Sequence, residues 1–136
     1  MYQKVTVIGN LGTDPETREV GGSTVTNFSL ASNRKWTAKD GTKQSETTWF
    51  RVSVWGKQGE NVQKYLGKGR QAMVEGRLSP DKETGGPRLW EGTDGSTRAS
   101  YELTAENVVF LSGGDGRDRG QSDEAADDDF NQDIPF

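Results

Sequence analysis

The run Thr47–Trp55 constrains the fold more than any other stretch of this 136-residue sequence. Its side chains alternate with period two. Trp49, Arg51, Ser53 and Trp55 fall on one side of an extended chain, and Thr48, Phe50, Val52 and Val54 on the other. Such alternation belongs to a half-buried strand, with one face on a core and one in water. Two assignments of the faces are open. Either Phe50, Val52 and Val54 point inward and both indoles stand on the surface, or the indoles are core and the aliphatic face is wet. The second would bury Arg51, a costly step for a charge with no partner.

Other segments supply companion strands. Lys4–Leu11 ends at Gly12, with Asp14-Pro15 as a turn signal, and Glu19–Asn33 carries Val25, Phe28, Leu30 and Ala31 with Gly21-Gly22 early in it. Gln71–Leu78 and Ser100–Leu111 complete five strands. One helix is expected over Gly59–Leu66, where Val62, Tyr65 and Leu66 share a face and Gly67 offers a stop. The expected class is all-β. Five antiparallel strands with a short helix between the third and fourth match an OB-fold, a small Greek-key barrel, although another small barrel has the same count. Two long polar segments, 35–47 and 79–98, read as loops, and each carries a tryptophan that a plain connection has no packing reason to hold.

Only 29% of the residues are hydrophobic and 28% are charged, so the apolar ones must be concentrated in part of the chain. They are. Residues 1–112 read as one domain, 113–126 as a disordered Gly/acidic linker, and 127–136 as an acidic tip that ends on apolar residues. The formal charge of −4 is an average of unlike pieces: residues 1–112 hold 15 Lys and Arg against 13 Asp and Glu, and residues 113–136 hold 2 against 8. A mildly basic body carries an acidic tail.

Several function classes are disfavoured. The sequence has no Cys and no His, which removes disulfides, thiolate metal sites and the commonest general base and metal ligand. Gly56-Lys57 and Gly67-Lys68 are followed by Gln58 and Gly69, so neither completes a phosphate-binding loop, and there is no Gly-x-Ser-x-Gly elbow. No enzyme activity, cofactor or metal is expected. No apolar run approaches the ~20 residues that span a bilayer, and the N-terminus lacks the apolar stretch of a signal peptide. The sequence reads as that of a soluble cytoplasmic protein.

What remains is binding chemistry. Trp36, Trp49, Trp55 and Trp90 offer flat faces, and cations lie close to each: Arg34 and Lys35 adjoin Trp36, Arg51 is two from Trp49, Lys57 two from Trp55, Arg88 two from Trp90. Rings for bases and cations for phosphates are what binding of single strands without sequence preference needs. The other reading of Trp36 and Trp90 is a lid folded back on the core, and a Trp/Arg patch also suits a protein partner. Lys4, Lys43, Lys68, Arg70, Arg77 and Arg98 are further candidates for phosphate contact, each individually also readable as a solvated charge. At the C-terminus, Asp127, Asp128, Asp129, Phe130, Asp133, Ile134, Pro135 and Phe136 combine negative charge with apolar anchors, which suits docking into a basic pocket on a partner.

Several ordered motifs resemble the family of bacterial single-stranded DNA-binding proteins. They are Val7-Ile8-Gly9-Asn10-Leu11-Gly12 with Asp14-Pro15-Glu16, then Thr48-Trp49-Phe50-Arg51-Val52, Trp55-Gly56-Lys57, Tyr65-Leu66-Gly67-Lys68-Gly69, Val74-Glu75-Gly76-Arg77-Leu78 and the terminal tip. The resemblance covers nearly all of residues 3–112 and the last ten. It implies an OB-fold assembled as a homotetramer, stacking by Trp36, Trp49, Trp55 and Trp90, and a tip that recruits replication and repair proteins in the bacterial nucleoid. Trp55 stands where the family commonly has Phe, and Phe50 where some members carry a histidine associated with subunit contacts. The turn between Leu78 and Trp90 is longer than in some members.

Overall fold

The computed structural model describes residues 1–111, so the expected linker 113–126 and tip 127–136 lie outside the described residues. Eight elements follow in order: β1 (Val5–Leu11), β2 (Glu16–Val20), β3 (Ser23–Thr37), β4 (Lys43–Trp55), α1 (Lys57–Tyr65), β5 (Gln71–Leu78), β6 (Arg88–Glu91) and β7 (Thr97–Phe110). Strands β1, β3, β4, β5 and β7 are the five expected ones. They close on themselves in the order β1-β5-β7-β4-β3, with β3 returning to β1 through Asn10↔Ala31 and Leu11↔Leu30. This is the closed barrel of the OB-fold, with α1 between its third and fourth strands. No helix among the described residues is long and apolar enough to cross a membrane.

Four details differ from the sequence reading. The strand expected over Glu19–Asn33 is a hairpin: β2 and β3 pair from Glu16↔Asn27 to Val20↔Ser23 around Gly21-Gly22, whose φ angles of 57° and 81° only glycine adopts cheaply. Segment 35–47 is mostly ladder, since β3 and β4 stay paired to Thr37↔Lys43. Segment 79–98 likewise holds β6, paired with β7 from Arg88↔Ser100 to Glu91↔Thr97. Finally, the strands are not all antiparallel. β4 and β7 run parallel from Phe50↔Tyr101 to Val54↔Ala105, because the barrel closes between strands whose connection passes through α1 and β5.

Asx-type turns cap the two long hairpins. Asp40 accepts the Thr42 N–H at 3.0 Å and its hydroxyl at 2.6 Å, and Asp94 accepts the same pair from Ser96 at 3.1 and 2.6 Å. These bonds, the hydroxyl first in each case, hold both carboxyls below the usual carboxylate range.

Inside the barrel, Val7, Leu11, Phe28, Leu30, Val52, Val54, Val74 and Leu103 form the core, joined by Val62 of the helix and Leu66 just past its end. The helix begins at Lys57, two residues earlier than expected, after Gly56 turns the chain with φ 75°. It sits tight on the barrel because Gly59 has no side chain: a Cβ there would strike the Val54 carbonyl and come within 2.7 Å of the Thr26 hydroxyl. Thr26 is fully buried, and its hydroxyl is satisfied by that of Thr17 at 2.7 Å. Tyr65, expected beside Val62 and Leu66, is instead 60% exposed, with its ring 6.4 Å from that of Phe110.

Candidate nucleic-acid interface

The face assignment left open by the alternation is resolved by β4. Val52 and Val54 are fully buried, whereas Trp49 is 54% and Trp55 46% exposed, with Arg51 exposed between them. Both indoles therefore stand on the outer wall of the barrel, and the guanidinium never enters the core. Direct partners on β3 are Ala31 opposite Trp49, Ser29 opposite Arg51, Asn27 opposite Ser53 and the buried Val25 opposite Trp55. None is large enough to cover a ring. The Trp49 ring lies against the Cα of Gly12, where an added Cβ would strike the indole and come within 2.8 Å of the Ser29 hydroxyl. Gly12→Val is thus expected to tilt Trp49 away and shift its emission. Unchanged emission would show that the ring does not rest there.

Trp36 and Trp90 are neither lids nor loop residues. Both sit on strands and are exposed. The Arg34 guanidinium lies 4.9 Å from the centre of the Trp36 ring, as spacing two along a strand suggests, and is also paired with Glu46 at 3.3 Å. Trp90 departs from that pattern. Arg88, two residues away, goes to Glu102 at 3.2 Å, and the cation over the ring at 5.5 Å is Arg98, the cross-strand partner of Trp90. Arg98 is tethered in turn to Asp94 at 3.4 Å. Register fixes the sides: Trp90 and Arg98 share the pleat of Glu102, which pairs with Arg51, so they join the face of Trp49 and Trp55. Trp36, opposite Gln44, lies on the other pleat, that of Leu30 and Phe50.

The remaining expected cations divide. Lys35 and Lys43 lie on the Trp49 pleat of the β3–β4 hairpin. Arg77 joins the same wall through Thr104, which is also the partner of Ser53. Lys57 opens α1 just past Trp55, and Lys68 and Arg70 lie in the turn that docks on β1, where the Lys68 N–H donates to Asp14 at 2.8 Å. Lys4 is drawn elsewhere: its ammonium pairs with Glu75 on β5 at 2.7 Å, and that hydrogen bond raises its pKa above the ordinary value.

Sequence reading missed one residue. Arg18 on β2 pairs with Val25, which pairs with Trp55, so an exposed guanidinium shares the outer face beside that indole. The signal was Gly21-Gly22, which marks a hairpin rather than a single strand. Between the two β4 indoles, on the β3 side, runs a cleft of about 300 Å³ lined by Thr13, Asp14, Glu16, Asn27, Phe28, Ser29 and Arg51.

Comparison with known proteins identifies the family and the fold. Residues 2–111 match the model of the single-strand binding protein family. The single-stranded DNA-binding protein of Xylella fastidiosa is 40% identical over 111 residues, 81% of this chain and 63% of that one. That of Helicobacter hepaticus is 36% identical over 112 residues, 82% of this chain and 62% of that one. The chain thus spans a little over three fifths of these relatives. Among solved structures, a Plasmodium falciparum SSB complex with ssDNA aligns with TM-score 0.63 at 28% identity, covering 82% of this chain and 96% of the other. A small single-stranded DNA-binding protein from Streptomyces coelicolor gives TM-score 0.63 at 21% identity, covering 82% and 97%, a likeness of fold.

Proposed function

The chain belongs to the single-strand binding protein family, and from that premise we propose that it is a non-catalytic protein that binds and protects single-stranded DNA without regard to sequence, in replication, recombination and repair. One observation carries the reading: on a single wall of the barrel, exposed indoles alternate with a guanidinium, with further cations around them. Unpaired bases lie flat on Trp49, Trp55 and Trp90, each ring face accepting any base. Arg51, Arg18, Arg77, Lys35, Lys43 and Lys57 neutralise the phosphates that pass between. Trp36, on the opposite pleat, takes bases from a strand that turns around the β3–β4 hairpin. Duplex is a poor ligand because its bases already stack on one another.

The far wall supports self-association into a homotetramer. Ile8, Met73 and Val109 form an apolar row across β1, β5 and β7, and Ile8 is 51% exposed. The tip, with its carboxylates and Ile134-Pro135-Phe136, recruits replication and repair proteins.

Titration with oligo(dT) of increasing length, followed by tryptophan emission and by the mass of the complex, tests the proposal. Strong quenching, a weak response to duplex and affinity falling with salt are expected. Emission indifferent to oligo(dT) would refute strand binding, and a monomeric mass would refute the tetramer. Removing residues 127–136 should leave strand binding intact, or slightly tighter without a competing polyanion, while abolishing recruitment of partner proteins. Retained recruitment would dispose of the role given to the tip.

A further inference from the structure

We propose that the cleft between Trp49 and Trp55 is a base-reading subsite that favours guanine, with Glu16 as the residue that sets the preference. The inference rests on strand binding as read above, since only an unpaired base presents the edge that the cleft would read.

An interface made only of ring faces and cations accepts every base alike. Glu16 does not fit such a surface. It is exposed and sits on the outer wall opposite Asn27, on the face that carries Arg18, Arg51 and Arg77. Among the described residues no hydrogen bond or ion pair engages its carboxylate. Toward a polyanion, an unpaired carboxylate in this place only lowers affinity. It becomes favourable if the ligand brings donors to it.

The cleft offers the complementary groups. Glu16 and Arg51 flank β3 from β2 and β4, about two strand spacings (~9.6 Å) apart across the sheet and offset by two residues (~7 Å) along it, and both line the opening. One end therefore only accepts hydrogen bonds and the other only donates them. Between them, Asn27 already uses its carbonyl oxygen to accept the Ser53 hydroxyl at 2.8 Å, which leaves its amide N–H groups as donors. The volume of about 300 Å³ is at the lower bound of small-molecule sites, ~300–1,000 Å³.

Guanine is the base whose edges match. Its N1–H and N2–H are adjacent donors, spaced for the two oxygens of one carboxylate, and its O6 and N7 are adjacent acceptors, spaced for a guanidinium. Thymine presents one N–H between two carbonyl oxygens, which a carboxylate repels. Cytosine and adenine each place an acceptor nitrogen beside their amino group. None of these offers two adjacent donors, so each leaves Glu16 desolvated and poorly paired. The chain would still coat any sequence, with one guanine per domain pinning the register.

The test uses the full chain and short fluorescent oligo(dT) in which a single dG, dA, dC or deoxyinosine is moved through successive positions. Binding is followed by anisotropy, so that base-dependent quenching does not intrude. At one position dG should bind roughly fivefold or more tighter than dT, with dA and dC giving no gain. Deoxyinosine, which lacks the 2-amino group, should fall between dG and dT. Glu16→Gln should abolish the preference and, by removing a repelling charge, bind plain oligo(dT) more tightly than wild type. A flat scan in the wild-type protein overturns the subsite, and so does a dG preference that survives in both Glu16→Gln and Glu16→Ala. Failure to bind even plain oligo(dT) would instead bring down the strand-binding reading, and the subsite with it.

Discussion

Replacing Trp49 and Trp55 together by alanine is expected to weaken oligo(dT) binding by two orders of magnitude or more while leaving the domain folded. Each stacked base is worth ~1–3 kcal/mol, so two lost platforms remove roughly 2–6 kcal/mol, and every ~1.4 kcal/mol is tenfold in Kd. The two effects should nearly add, because six residues of extended strand put the rings about 20 Å apart, with no shared partner. The domain stays folded because the core face of β4 belongs to Val52 and Val54, although the half-buried rings give up some packing. Val52→Ala is the converse control. It empties a fully buried position and should lower stability by about 1–3 kcal/mol without touching the binding wall. If the double tryptophan variant bound normally, stacking on β4 would be refuted, whatever family the chain belongs to.

How much of this was visible beforehand depends on whether a property travels along the chain or across it. Alternation along β4 is local, so the sequence itself distinguished the wet face from the dry one once Arg51 was weighed against burial. Nearness in sequence also put Arg34 beside Trp36, although the segment 35–47 read as a loop. Cross-strand neighbours are another matter. Arg98 over Trp90, Glu102 beside Arg51 and Arg18 beside Trp55 all depend on register, which is fixed by turns at Gly21-Gly22 and Asp94–Ser96. A shift of one residue would send each of these side chains to the opposite face. The parallel β4–β7 pairing was illegible for a related reason: nothing within either strand specifies the direction of a partner some fifty positions away.

The acidic residues of the hairpins show the same dependence. Asp94 and Glu46 lie in segments that read as polar loops, yet each holds a guanidinium on or beside an indole. Such exposed pairs add little to stability. Their effect is on position: they keep Arg34 and Arg98 against the rings, and under the function proposed above phosphates would compete with the carboxylates for the same cations.

Gly9→Ala should damage the fold far more than one added methyl suggests, and neither hydrophobic periodicity nor turn chemistry announces it. Gly9 is buried on β1 with ordinary backbone angles, so its need for glycine is not conformational. It lies at the seam where β1 meets β3, a closure made by only two residue pairs, Asn10↔Ala31 and Leu11↔Leu30. A methyl group there would run into the Ala31 carbonyl, with its carbon at 2.9 Å and the Leu30 side chain at 3.2 Å. Because the obstacle is backbone, relief requires β3 itself to move, and the cost should reach or exceed the ~1–3 kcal/mol typical of overpacked sites. The displacement has a functional consequence too: Ala31 is the direct partner of Trp49, so the floor beneath that indole shifts with the seam. Urea denaturation should show the loss of stability, and oligo(dT) titration of the folded fraction a weaker Kd. Gly86→Ala, whose nearest neighbour would be the Thr84 hydroxyl at 3.7 Å, should change stability by no more than about 0.5 kcal/mol and serves as the control. A Gly9→Ala protein as stable as wild type would mean that β1 and β3 do not close the barrel at this point, and the alignment of the Trp49 platform over Gly12 would then need another explanation.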